Sequence, residues 1–377
     1  MHIGFLFNHY AGHQLLHGAP IAFELARRHP DHLVTIFVSS AALRDIALRI
    51  GTRYPGSTPK IELLVPPAAA RLADPLVRPF AFLNKQAVLR HHAGRFHDLD
   101  ILVVPEKTSL ALKRMPGLSH LRFVYTHHGA GDRAEAFYPE LSQFDLVLTP
   151  GPKIHQRLIA SGLVRPDRLA MVGYPKFSVA GCLSAAPPRL IEGRRTVLYN
   201  PHYSVHESSW AKMGRRVLDY FRDSDRYNLI FAPHVLLYGR WLRHRARPLG
   251  RWRGVPHMHL DTGSDALIDM TYVQMADLYL GDVSSQIYEF LIRPRPVLFL
   301  DARGIANWRE NESFEMWRAG EVLTDVAELG QALERAYADH DRCIDEQRAI
   351  FSHTFDENGT APEVRAADAI VARLASR

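Results

Sequence analysis

The chain alternates short apolar runs with longer amphipathic stretches, and this alternation constrains its fold more than any other feature. Buried parallel strands have short, continuous apolar sequences, and the helices between them cover both faces of the sheet. Ala19–Arg28 is typical of the predicted helices, with Pro20 suited to a first helical turn. The predicted strands of the first series are Ile3–Phe7, Leu33–Val38, Ile61–Val65, Ile101–Val104, Arg122–Tyr125 and Leu146–Thr149.

A second series of strands follows a Pro- and Gly-rich linker at Val179–Arg195. Its predicted strands are Thr196–Tyr199, Asn228–Phe231, Met258–Leu260, Leu278–Leu280 and Val297–Leu300. The 377 residues, at about 150 residues per domain, suggest two domains. We therefore predict an α/β protein of two doubly wound domains facing a central cleft, residues 1–180 and 181–360. A helix in residues 361–377 (Ala361–Leu374) is expected to cross back to the first domain.

Composition narrows the class of protein. Hydrophobic residues make up 47% of the chain and charged residues 23%, which is ordinary for a globular protein and excludes global disorder. The formal charge of +6 favours anionic partners. Two distant cysteines exclude a disulfide scaffold, and neither a signal peptide nor a membrane-spanning apolar run is evident. We expect a cytoplasmic protein whose membrane contact, if any, is peripheral on the inner face of the membrane.

The strongest local signal is the segment 276–291, which is typical of a strand, a tight turn and a helix. Asp282-Val283-Ser284-Ser285 forms the turn, and either serine is placed to cap the helix. A helix N-terminus offers unpaired N–H groups and a positive dipole end, which suit a diphosphate. Helix capping without a ligand explains one serine equally well.

Histidines follow several predicted strands. His127 and His128, with Gly129, come after Arg122–Tyr125, where one histidine is placed for proton transfer. Asn200-Pro201-His202 and Pro233-His234 follow two strands of the second series and are expected to face the same cleft. Histidines that only satisfy backbone groups in loops are the alternative.

Two other patterns have competing interpretations. His257, His259 and Asp261 alternate as a metal site could, but they are expected to lie along a strand, so no metal or other cofactor is predicted. Arginine and tryptophan interleave in Arg240–Arg253, as at membrane surfaces and on anionic polymers, although a solvated basic loop has the same composition. No nucleic-acid-binding module is recognisable.

The ordered set of motifs resembles the CDP-glycerol glycerophosphotransferase family, which builds teichoic acids and related polymers. The resemblance covers roughly residues 120 to 370 and is carried by Val124–Gly129, Gly173-Tyr174-Pro175-Lys176, Leu198–Pro201, Ala232-Pro233-His234, Ala276–Ser285 and Phe355-Asp356-Glu357-Asn358-Gly359. It implies a GT-B fold with the donor nucleotide in the second domain.

The resemblance also implies roles for single residues. His128 corresponds to the family's base histidine, and His234 to a second essential histidine at the diphosphate. Asp282, Ser284 and Ser285 correspond to the family's Asp-Tyr-Ser-Ser motif. The full set of donor-binding candidates is Asn200, Pro201, His202, Asp282, Ser284, Ser285 and Gln286, and the acceptor-side candidates are His127, Gly129 and His13. The chain departs from the family where His127 replaces a tryptophan, Val283 replaces a tyrosine, and His202, Ser204 and Ala232 replace Thr, Arg and Lys.

The expected activity is transfer of a polyol-phosphate group from a CDP-linked or other nucleotide-linked donor to a hydroxyl of a cell-surface glycan or lipid-linked acceptor. The alternatives are a GT-B glycosyltransferase that uses a sugar nucleotide, an epimerase of similar architecture, and a non-catalytic module that binds nucleotides or other anions.

Overall fold

The structure, a computed structural model, describes residues 1–9, 12–77, 83–130, 137–184, 186–204, 208–239 and 248–374. These residues form two compact units. The first comprises the described residues up to Leu183 together with those from His353 onward, and the second comprises Ser184–Ser352. The chain thus changes unit inside the predicted linker, and it re-enters the first unit seven residues before residue 360, the predicted end of the second domain.

The first unit is built on seven parallel strands in the order β3-β2-β1-β4-β5-β6-β7. The strands are β1 (His2–Phe7), β2 (Leu33–Val38), β3 (Lys60–Leu63), β4 (Ile101–Val104), β5 (Arg122–Thr126), β6 (Leu146–Thr149) and β7 (Leu169–Met171). The α-helices are α1 (Leu15–Arg28), α2 (Ala41–Gly51), α3 (Ala68–Val77), α4 (Leu83–His91), α5 (Pro152–Ala160) and, from the end of the chain, α12 (Pro362–Leu374).

The second unit has six parallel strands in the order β10-β9-β8-β11-β12-β13. They are β8 (Arg195–Asn200), β9 (Tyr227–Phe231), β10 (Met258–Leu260), β11 (Leu278–Gly281), β12 (Val297–Leu300) and β13 (Glu321–Leu323). The α-helices are α6 (Gly214–Asp223), α7 (Leu236–Gly239), α8 (Thr271–Met275), α9 (Gln286–Phe290), α10 (Leu329–Ala338) and α11 (Ile344–Thr354).

The α1 helix begins earlier than the sequence pattern indicates. Pro20 is its sixth residue and not part of a first turn, because a short 3-10 helix at Gly12–Gln14 leads directly into Leu15. Gly18 brings the helix onto the end of β1, where an added Cβ would lie 2.7 Å from the Phe7 ring. Residues 12–18 are thereby held at the carboxyl edge of the sheet.

The predicted fold class, two doubly wound α/β domains, is confirmed by the two parallel sheets. All eleven predicted strands are present with shifts of one or two residues at their ends. Two edge strands of three residues each, β7 and β13, were missed.

Candidate functional site

A polar cluster lies at the carboxyl edge of the first sheet. The neighbouring strands β1, β4 and β5 are followed by His9, Glu106 and His128 respectively. Parallel strands end at the same edge, so residues far apart in sequence meet there.

Glu106 joins this cluster together. Its Oε1 accepts a hydrogen bond from Gln14 Nε2 at 2.6 Å and lies 3.7 Å from His9 Nε2. Its Oε2 accepts from Lys85 Nζ at 2.7 Å, and that lysine is itself buried. Burial opposes the charge of Glu106, but Lys85, His9 and Gln14 lower the pKa of the carboxyl overall.

His128 is held next to this cluster. It makes a hydrogen bond with the Pro105 backbone, while its Nδ1 has no hydrogen-bond partner among the described residues. The bond to the carbonyl is therefore donated by Nε2, which leaves the lone pair on Nδ1. Burial lowers the pKa of His128, with Lys85 acting in the same direction and Glu106 opposing it. The lowered pKa favours a neutral imidazole with its lone pair on Nδ1.

The other acceptor-side predictions have different outcomes. His13 lies beside His128, with 5.9 Å between ring centroids. His127 is buried with its ring edge on Tyr125, and burial lowers its pKa to about 3. No described residue packs closely against Gly129, since a Cβ added there would meet nothing within 4 Å.

In the second unit, Asp282 organises the carboxyl edge of the sheet. It follows β11 and is fully buried. Its Oδ2 accepts hydrogen bonds from the backbone N–H groups of His202 at 2.8 Å and Ser209 at 2.9 Å. Asp282 therefore holds the loop after β8 in shape through Oδ2.

Asn200 and Pro201 also connect strand ends. Asn200 donates from Nδ2 to the Ala232 carbonyl at 2.6 Å and accepts from the Tyr279 hydroxyl at 3.2 Å. The Pro201 carbonyl accepts the His234 N–H at 3.0 Å. The ends of β8, β9 and β11 are thus tied into one rigid edge.

The rings of His202 and His234 lie 5.3 Å apart on this edge, and both also contact Tyr203. His202 Nδ1 accepts from Ser204 N–H at 3.0 Å, and His234 Nδ1 accepts from Leu236 N–H at 3.2 Å. A neutral histidine that accepts at Nδ1 carries its proton on Nε2. Both rings therefore carry their proton on Nε2 when neutral.

The predicted helix after Asp282 is present as α9 and ends within one residue of the predicted segment. The α9 helix has five residues, because Pro294 and Pro296 prevent its continuation. Ser285 is the N-cap residue but makes no side-chain capping bond, whereas Ser284 Oγ accepts the Gln286 N–H at 3.3 Å. The Gln286 side chain donates to the Leu267 carbonyl at 3.2 Å. Ser284 and Gln286 thus hold the backbone of the turn.

Arg295 was not predicted from the sequence, and it supports this turn through hydrogen bonds to the neighbouring backbone. Its guanidinium donates to four backbone carbonyls, of which Val273 and Ala276 end α8 and Phe290 ends α9. It also lies over the Phe290 ring at 3.7 Å. Glu106, Lys85, Gln14 and His17 were missed in the first unit, although Glu106 follows a predicted strand in the same way as the histidines.

Two of the family-like motifs serve the framework of the first unit. Gly173 has a φ of +87° and packs against Arg365, which pairs with Asp356. The Phe355 ring lies 4.7 Å from that of Tyr174. Gly173–Lys176 and Phe355–Gly359 therefore act as one packing unit between the sheet and α12.

The two remaining patterns are resolved by contacts. His257 bonds the Phe221 carbonyl at 2.7 Å and His259 bonds the Tyr272 hydroxyl at 2.9 Å, as expected of strand residues with protein partners. Of Arg240–Arg253, residues 240–247 lie outside the described part of the chain. Trp252 is buried in the core of the second unit, so the prediction that this tryptophan faces a membrane is wrong. No helix within the described ranges is both long and apolar enough to cross a bilayer.

Comparison with known proteins places the fold. Neither a family model nor a curated protein sequence matches the chain. Among solved structures, the wall teichoic acid polymerase TagF is 15% identical with a TM-score of 0.63, covering 99% of this chain and 89% of that one. A putative UDP-N-acetylglucosamine 2-epimerase from Listeria monocytogenes is 14% identical, with a TM-score of 0.65 and coverages of 100% and 97%.

A third similar structure is the glycotransferase of kitacinnamycin, which is 13% identical with a TM-score of 0.61 and coverages of 99% and 98%. These likenesses span both units and fit the GT-B fold that the motifs implied. The structural resemblance to the teichoic acid polymerase is confirmed, and at such identities it establishes the fold alone.

Proposed function

We propose that this GT-B chain is a transferase that moves a polyol-phosphate group from a CDP-linked donor to a hydroxyl of a glycan or lipid-linked acceptor. The observation that carries the proposal is a complementary pair of histidine sites, one in each unit. His128 accepts a proton at Nδ1, whereas His202 and His234 carry theirs on Nε2. A base in one unit and phosphate donors in the other are what a hydroxyl attack on a nucleotide diphosphate requires.

In the proposed reaction, the acceptor oxygen attacks the donor's distal phosphorus while His128 Nδ1 takes the hydroxyl proton. The bond between the distal phosphorus and the bridging oxygen breaks, and CMP leaves. The Nε2–H groups of His202 and His234 and the N–H groups of the turn after Asp282 stabilise the charge that develops on the diphosphate. Preorganised donors of this kind are typically worth about 3–4 kcal/mol each.

The names of similar structures support the donor class. TagF is described as a wall teichoic acid polymerase, and variant TagF crystals have been soaked with CDPG. The chain differs from the resembled family at Val283, His202 and Ala232, and these differences favour a second proposal, a glycosyltransferase that uses a sugar nucleotide. In that reaction the same groups would act in an attack at the anomeric carbon. The kitacinnamycin glycotransferase supports that alternative.

The test is a donor panel of CDP-glycerol, CDP-ribitol and UDP-, GDP- and CMP-sugars, scored for nucleotide release with and without a polyol-terminated acceptor. We expect release of CMP from a CDP-polyol, dependent on the acceptor. His128→Ala should lower turnover by about 100-fold or more while leaving donor affinity unchanged. Wild-type turnover in that variant would overturn the assignment of the base, and nucleotide binding without turnover of any donor would favour a binding module.

We further propose that the reaction takes place in the cytoplasm. Arg240–Arg253 was considered for peripheral contact with the membrane's inner face. We propose that residues 240–247, and not Trp252, would make that contact. Liposome binding that persists after the arginines of 240–247 are neutralised would contradict that role.

A further inference from the structure

Two buried polar side chains at the start of α1 have no place in the proposed mechanism. Gln14 and His17 are each 2% exposed. The described residues supply no hydrogen-bond partner for Gln14 Oε1 or for His17 Nδ1. Buried polar atoms are almost always hydrogen-bonded, so two such atoms one helical turn apart point to a ligand.

The chain segment that carries both side chains passes beside the base. Residues 14 and 17 share a helix face, and residue 13, whose ring lies 5.9 Å from that of His128, lies one turn before His17. Burial, Lys176 and His128 together hold the pKa of His17 well below its ordinary value.

The orientation of Gln14 is set by its partner. Its Nε2 donates to Glu106 Oε1 at 2.6 Å, so its Oε1 is the end available as an acceptor. An amide oxygen accepts from hydroxyl groups and repels phosphate oxygens, and a neutral imidazole nitrogen also bonds a hydroxyl. The chemistry of the pair is therefore that of an alcohol-binding site.

We propose that Gln14 and His17 bind a second hydroxyl of the acceptor, next to the hydroxyl that His128 deprotonates. The acceptor is then a polyhydroxyl compound, such as a glycerol or sugar terminus, and not a simple alcohol. This inference rests on the proposed function, because it places the acceptor at His128.

The experiment compares two probes that differ by one hydroxyl, 3-butoxypropane-1,2-diol and 3-butoxypropan-1-ol. Transfer from the active donor is measured for each, and binding to the full chain is measured separately by saturation-transfer NMR. The wild type should prefer the diol by about tenfold or more, since an unmatched buried polar group carries a penalty of that order. His17→Phe keeps an aromatic ring packed on Tyr174 and should lower the rate with the diol much more than the rate with the mono-alcohol, so that the preference is lost.

Two variants separate recognition from a merely structural effect. His17→Asn retains a polar group near the position of Nδ1 and should restore most of the preference. His32→Phe makes the same change at another buried, unpartnered Nδ1 in the same unit and should leave the preference intact. Equal losses with both alcohols in His17→Phe, or no NMR preference for the diol, would overturn the inference. Diol-selective binding without transfer would instead refute the proposed function alone.

Discussion

Replacing Asp282 distinguishes a carboxylate that holds a loop from one that faces a ligand. The backbone N–H groups of His202 and Ser209 donate to the same oxygen, Oδ2. Asp282→Asn can keep an oxygen at that place, whereas Asp282→Ala leaves two buried N–H groups without an acceptor. Hydrogen bonds to charged groups contribute about 1.5–3 kcal/mol each and neutral ones about 0.5–1.5 kcal/mol. We therefore expect a loss of about 3–6 kcal/mol for Ala and about 1–3 kcal/mol for Asn.

The chain offers a selective assay for this loss. All five tryptophans lie between residues 210 and 317, within the second unit. Urea unfolding followed by tryptophan fluorescence therefore reports that unit, and Asp225→Ala provides an exposed aspartate as the control. Equal midpoints for Ala and wild type would refute the reasoning. So would a wild-type midpoint for Asn together with tighter binding of CDP, which is the result expected if Asp282 faced the donor's phosphates.

Three further predictions follow from buried groups. Arg295→Lys keeps the charge but cannot reach all four carbonyls, so the fluorescence midpoint should fall by the equivalent of about 2–4 kcal/mol, and Arg293→Lys should change it little. The pKa values of His17, His127 and His128 are lowered in the folded chain, so as the pH falls the unfolded chain takes up protons at a higher pH than the folded chain. The stabilisation of the first unit by these neutral histidines should thus be fully present above about pH 6.5. Below that pH the free energy of unfolding should fall by about 1.4 kcal/mol per pH unit for each such group. Unfolding followed by circular dichroism at pH 7 and pH 5 measures this, and His127→Phe should reduce the dependence on pH. Gly173→Ala combines an unfavourable φ with a clash and should lower the melting temperature of the first unit, whereas an unchanged value would contradict the packing described for Gly173.

The fold was largely predictable from the sequence because its strands are buried on both faces and appear as apolar runs. Local patterns failed where tertiary contacts decide, as at Pro20, which lies inside α1. At α9 the pattern left both serines open as capping residues, and Ser284 is the one whose side chain bonds the turn.

The candidate site was predictable only in part. Histidines directly after strands were visible, since parallel strands bring their carboxyl ends together. The Glu106 contacts were not, because Gln14 is 92 residues away in sequence and Lys85 is 21. Likewise, the assignment of Asp282 to a positioning role depends on two backbone N–H groups, which have no signature in the sequence.

The central claim is that the second unit binds a nucleotide through its diphosphate, using Nε2–H donors. Isothermal titration of CDP and CMP into the wild type and His234→Ala tests it most directly. We predict that CDP binds at least about tenfold more tightly than CMP, since charge-assisted hydrogen bonds contribute about 1.5–3 kcal/mol each. His234→Ala should remove most of that difference without changing CMP affinity. Equal affinities for CDP and CMP, or a difference that survives in His234→Ala, would contradict the account.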